Sequence, residues 1–293
     1  MFKNYKAKQK DFDTVEEALA YVWHPEMNFV FRDNSKIVHT IVVSYDSKFI
    51  YLWSPRPLKN LEELQRSLKN YSLYRIPHRL KIKDEWQYAW RAGLDKKIQN
   101  LLPSLIQEST YFEIPRISGG FLTPFISLQK IKKIIGNPYT TKESYLATII
   151  HEFGHVYWDS FKMWWPSENS INLKNLKIAA KLYSNLKPNI EKYSLTFPVF
   201  PVFGEVFAFC AEYYASELFW KNHKINLDSF IEDRLNALTI LEKKKNLEKE
   251  DSVIEPSRYP HDFAFVFGKI ILEKYPVSWS QILTDQKNFS PQL

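Results

Sequence analysis

The stretch from Thr140 to Asp159 constrains this chain more than any other part of its sequence. Thr140 and Glu143 have the spacing of a reciprocal helix cap, and no proline interrupts the residues up to Asp159, which predicts one continuous helix. Within it, His151, Glu152 and His155 are bracketed by Ala147, Ile149 and Ile150 on one side and Val156, Tyr157 and Trp158 on the other. An apolar helix of this kind packs inside a fold, where two imidazoles and a carboxylate are costly unless something satisfies them. Any fold adopted by the chain must therefore bring a partner to that helix.

His151-Glu152-Phe153-Gly154-His155 has the form H-E-x-x-H. Residues four apart on a helix return to within about 40° of each other, so both imidazoles can reach one ion from one face. Glu152 lies beside that face, unsuited to ligate with them but placed to take a proton from a metal-bound water. The expected cofactor is one zinc ion per chain. Asp159 stays on the ligand side of the helix, where a carboxylate can orient an imidazole by accepting its free N–H, or it is a surface acid at the helix end.

The remaining sequence arranges itself around this helix. Thr14 and Glu17 read as a cap in front of Ala18, Leu19, Tyr21 and Val22, predicting a short first helix. Asn28 to Arg32, Ile37 to Tyr45 and Phe49 to Trp53 are rich in β-branched and aromatic residues and read as strands. A helix is expected from about Asn60 to Asn70, so that residues 1–75 form a small α/β domain ahead of a larger one at 76–293. Asp84 to Ile106 reads as helical, and Glu113 to Leu128, with its prolines and paired glycines, as an extended or edge segment. Further helices are expected at Asn172 to Leu186, Glu205 to Trp220 and Phe230 to Glu248.

H-E-x-x-H followed by a glutamate on a later helix resembles the gluzincins, zinc peptidases whose third ligand is Glu. Phe161 stands where the metzincin spacing would place a third histidine. Glu205-Val206-Phe207-Ala208, with Glu212-Tyr213 beyond, is similar to the Asn-Glu-Gly-Phe-Ala pattern and later Glu-Tyr of aminopeptidase-N-like gluzincins, in which the first glutamate binds zinc. Here Gly204 replaces the Asn, and the interval of positions 156 to 204 is longer than the family's usual spacing, as an insertion between Met163 and Phe203 would make it. The resemblance implies Glu205 as third ligand. Glu212, seven residues on and on nearly the same helix face, is the alternative ligand or a supporting group.

The resemblance covers about residues 110 to 275 and implies an α+β fold: a mainly helical zincin-like catalytic domain with a small sheet, behind the α/β domain. It also implies hydrolysis of a peptide or protein substrate. Gluzincins place a Tyr or His donor for the oxyanion before a late helix, and His261 in Ser257-Arg258-Tyr259-Pro260-His261-Asp262-Phe263 resembles it, with Tyr259 as the alternative. Gly268 in that late helix would permit close packing against a neighbour. The Gly-x-Met-Glu-Asn motif with which such aminopeptidases hold a free amine is missing, with Gly119-Gly120-Phe121 nearest in position, so an endopeptidase is favoured. The rival class is a regulatory or binding protein on a zincin scaffold that cleaves nothing; Glu152, an acid such a scaffold does not need, argues against it.

Composition narrows the setting. The net charge of +7 raises the question of nucleic acid. The densest basic run, Lys243 to Lys245, is flanked by acids at helical spacing and reads as a solvated helix face, so no nucleic-acid partner is expected. Cys210 is the only cysteine, which rules out an internal disulfide and a thiolate cluster and suits a reducing compartment. No apolar run is long enough to span a bilayer, and a cytoplasmic protein without a membrane partner is expected.

Overall fold

The computed structural model describes residues 6–68, 70–80, 101–102, 123–124, 142–159, 203–220, 268–269, 271–273 and 275–284. The expected helices at 172–186 and 230–248, and Tyr259 and His261, lie outside these residues, as does most of the one at 84–106. The chain divides into two compact units, Met1–Val156 and Tyr157–Leu293. The division falls inside the helix that carries the histidine pair.

In the first unit, helix α1 spans Gln9–Val22 and starts well before the expected cap at Thr14. The Lys8 amide donates to Asp11 Oδ2 at 2.8 Å, so Asp11 closes the first turn, and Thr14 lies inside the helix with its hydroxyl donating to the Lys10 carbonyl at 2.7 Å. The apolar stripe Val15, Ala18, Leu19 and Val22 is buried, as a helix resting on a core requires.

The segment expected as a strand at 28–32 instead follows a 3-10 turn, Pro25–Phe29, and a second turn covers Asn34–Lys36. Local side chains win here: His24 Nδ1 accepts from the Glu26 amide and Asp33 Oδ1 from the Ser35 amide, offering the backbone turn partners in place of a ladder. Strand β1 is therefore shorter than the expected Ile37–Tyr45, running only over Val42–Tyr45.

β2 covers Phe49–Ser54, β3 Glu62–Leu68, β4 Tyr71–Pro77 and β5 Thr123–Pro124. The sheet order is β3-β4-β2-β1-β5, with β5 parallel to β1 and the other neighbours antiparallel. β2 lies in the interior of the sheet, and Ile50 to Ser54 are all buried, the pattern of a strand covered on both faces.

β3 replaces the helix expected at 60–70. Its Leu, Glu, Gln and Arg residues favour helix, but propensity is a weak prior that pairing overrides. β4 supplies the pairing: Leu64 lies opposite Leu73, Leu68 opposite Tyr71, and Glu62 opposite Arg75, with which it forms an ion pair. Asn60, at φ 61, takes the left-handed turn that leads into β3. The register slips between Leu64 and Ser67.

α1 rests on the sheet through Phe12, whose ring meets Tyr51 edge-on at 5.0 Å and Trp53 at 6.2 Å, alternate residues of β2 and so on one sheet face. Arg66 of β3 reaches α1, donating from Nε to Glu16 at 2.9 Å and from Nη2 to Asp13 at 2.8 Å. The turn from β1 to β2 is organised by the buried Asp46 carboxylate. It accepts from the amides of Ala7, Lys48 and Phe49 and from the Tyr51 hydroxyl, all at 2.7 to 2.9 Å. Burial and the Asp46 carboxylate together push the Tyr51 hydroxyl well above its ordinary pKa.

Helix α2 spans Lys142–Asp159, and its Lys142 forms an ion pair with Glu17 of α1. In the second unit, α3 spans Phe203–Phe219 and α4 Trp279–Thr284. Val206 to Ala211 are fully buried, so α3 is enclosed nearly all round over these turns. Tyr157, in the last turn of α2, stacks on Phe207 at 5.4 Å and 26°, and Phe207 in turn meets Trp279 at 5.4 Å. Trp158 donates its indole N–H to the Leu283 carbonyl at 3.2 Å. Aromatic side chains thus knit the end of α2, α3 and α4 into one core. Among the described residues, no helix is long and apolar enough to cross a membrane.

Candidate metal centre

α2 carries His151, Glu152 and His155 in consecutive turns of a helix whose Leu146, Ala147, Ile149, Ile150, Phe153 and Val156 are buried. Packing of this apolar surface fixes the helix, and its four-residue spacing brings the two imidazoles to one face. The Nε2 atoms of His151 and His155 face each other at 3.1 Å, with ring centroids 4.9 Å apart and planes 75° to one another. His155 and Glu152 are buried, Glu152 at 9% exposure, while His151 is half-buried.

Glu205 lies in the first turn of α3 and is also half-buried. One donor atom from each of His151, His155 and Glu205 lies within 4.8 Å of the others. Among the described residues this is the one group of three or more His, Cys, Asp or Glu side chains with that convergence. Glu212, two turns further along α3 and 3% exposed, is not in it. Its neighbour Ser216 donates a hydroxyl hydrogen bond to the Glu212 carbonyl at 2.9 Å.

The donor set fits zinc. Two nitrogens bound to a tetrahedral zinc at about 2.0–2.1 Å stand about 3.3–3.4 Å apart, close to the 3.1 Å between the two Nε2 atoms. Two imidazoles and one carboxylate also match the ligand chemistry of catalytic zinc sites, which leave a fourth position open.

Cys210 adds nothing to this chemistry. Its thiol is buried and held above the ordinary cysteine pKa by that burial, the setting of an inert thiol. Asp159 ends α2, and Tyr259 and His261 lie outside the described residues. The sequence carries no periodic signal for the Tyr157 and Phe207 pair, which stacks the last turn of α2 on α3; only their aromatic character hinted at packing. Gly268 does approach a neighbour closely: its carbonyl accepts from Cys210 Sγ at 3.6 Å. No family model, no curated protein and no solved structure matches the chain.

Proposed function

We propose that this protein is a zinc-dependent peptidase of gluzincin type, with a zincin-like catalytic domain, that cleaves internal bonds of a peptide or protein. The observation that carries the reading is the convergence of His151, His155 and Glu205 donor atoms within 4.8 Å, with Glu152 buried beside His151. In this reading His151, His155 and Glu205 hold one zinc ion. An ion held there would supply Lewis-acid chemistry, polarising the scissile carbonyl and acidifying a water. Glu152 takes one proton from the attacking water, whose oxygen adds to the carbonyl carbon, and delivers a proton to the departing amine nitrogen as the C–N bond breaks. His261, or Tyr259 in its place, is the proposed oxyanion donor. The single, buried, free Cys210 is consistent with a cytoplasmic setting.

Metal analysis combined with digestion of an unbiased peptide library tests this. The expected result is about one zinc per chain, with cleavage abolished by a chelator and restored by zinc, as three protein ligands require. A metal-free chain, or cleavage indifferent to the chelator, refutes the reading.

A further inference from the structure

Gly268 lies so close to Phe209 of α3 that a side chain at this position would force a neighbour to shift. A Cβ built there would lie 2.4 Å from Cδ1 and 2.9 Å from Cε1 of Phe209, with Cys210 Sγ at 3.4 Å. Phe209 is buried. The residue is 1% exposed and its ring packs against Tyr213 at 6.1 Å, and an aromatic ring cannot bend away as a long aliphatic side chain can. The Cys210 S–H to Gly268 carbonyl contact at 3.6 Å marks the same close approach from the adjacent position.

Phe209 is one helical turn beyond Glu205 on α3, which places the two within about 40° of one face. Helical side chains lean toward the N-terminus, which places Phe209 to cover the turn bearing Glu205. We propose that Gly268 is a positioning residue for the Glu205 carboxylate, acting through the Phe209 ring; this rests on Glu205 being the zinc ligand proposed above. Magnitudes decide that the contact matters. Restoring an ordinary carbon–carbon separation of about 3.5 Å around a methyl at position 268 requires a shift of about 1 Å, while metal–ligand distances tolerate only about 0.2 Å. A side chain at position 268 therefore moves α3, or the ring that covers its first turn, by more than the zinc site can absorb.

The test is a double-mutant cycle on the full chain, reading the zinc dissociation constant by chelator competition and folding by circular dichroism. Gly268→Ala is expected to weaken zinc by at least about tenfold, as loss of a supporting group around a metal ligand does, without loss of helix content. Beside Phe209→Leu, whose side chain can yield, the same Gly268→Ala change is expected to cost no more than about twofold. Equal losses in both backgrounds, or unaltered zinc affinity in Gly268→Ala, overturn the inference. Should Gly268→Ala fail to fold alone, a folded double variant with the zinc affinity of Phe209→Leu supports it, and an unfolded or weaker-binding double variant overturns it. A wild-type chain that binds no zinc refutes the metal reading itself, a result distinct from any of these.

Discussion

His155 Nε2 stands 3.1 Å from His151 Nε2 across a single helical turn. Two imidazolium ions could not share that contact, since each nitrogen would present a proton and a positive charge to the other. Between neutral rings the contact is an N–H···N hydrogen bond in which one Nε2 donates to the other, and loss of that proton would leave two lone pairs turned to the same point, as a shared ion requires.

Replacing either imidazole, His151→Ala or His155→Ala, is expected to remove stoichiometric zinc, because an ion left with two protein ligands no longer competes with water and buffer. Elemental analysis of the purified variants reads this directly. One zinc retained per chain in both would place the metal elsewhere.

Glu152→Gln keeps the size of the side chain and removes its basicity. Zinc content and fold are expected to be unchanged, with peptide hydrolysis reduced by at least about a hundredfold, the usual contribution of a general base. Near-normal turnover would end the proposed role of Glu152.

Glu205→Ala is expected to weaken zinc more than Glu212→Ala, since only the Glu205 carboxylate converges with the histidines. Chelator competition on the two variants ranks them. The reverse order would transfer the ligand to Glu212.

The Asp46 carboxylate gathers three backbone amides and the Tyr51 hydroxyl. Asp46→Ala is expected to cost about 2–4 kcal/mol of stability, because hydrogen bonds to a charged group are worth about 1.5–3 kcal/mol each and some of the released amides regain water. Urea unfolding reads the loss. A cost below about 0.5 kcal/mol, the range of an ordinary surface change, would contradict this account of the turn.

Tyr51 adds a pH dependence to the same cluster. Burial first, then the Asp46 charge and hydrogen bond, hold its hydroxyl protonated in the folded chain at a pH where the unfolded chain ionises. The native state then binds the extra proton, so this contribution is complete below the ordinary tyrosine pKa of about 10 and declines as pH rises above it. Tyr71, raised by burial against the smaller opposing effect of the Trp23 N–H, acts in the same direction. Stability from urea midpoints is expected to fall above about pH 10, and Tyr51→Phe to flatten that fall. An identical slope in the variant would remove Tyr51 from the explanation.

The contrast between what was legible in the sequence and what was not follows from the range of the forces involved. α2 and α3 occupy segments where apolar periodicity and helix formers agree, so local and tertiary preferences point the same way. Glu62–Leu68 is the opposite case: its composition is helical, and it becomes a strand because Leu73, Tyr71 and Arg75 of β4 are there to pair with it. Thr14 and Glu17 have the letters of a cap, but Asp11 satisfies the helix terminus earlier through Lys8, and nothing in the spacing alone ranks the two. At the candidate metal centre, the four-residue spacing of His151 and His155 is a local property and could be read directly. The nearness of Glu205 depends on how α2 and α3 meet, which resemblance suggested and periodicity could not.

The slip between Leu64 and Ser67 has a bearing on colloidal behaviour. Among the described residues β3 ends the sheet, with β4 on one side only, and an open strand edge is a template for recruiting other chains. Here that edge is broken by a change of register and carries exposed Glu62, Glu63 and Gln65. A second copy approaching in extended conformation would meet interrupted hydrogen-bond spacing and hydrated charged side chains together, which disfavours the edge-to-edge growth that leads to fibrils.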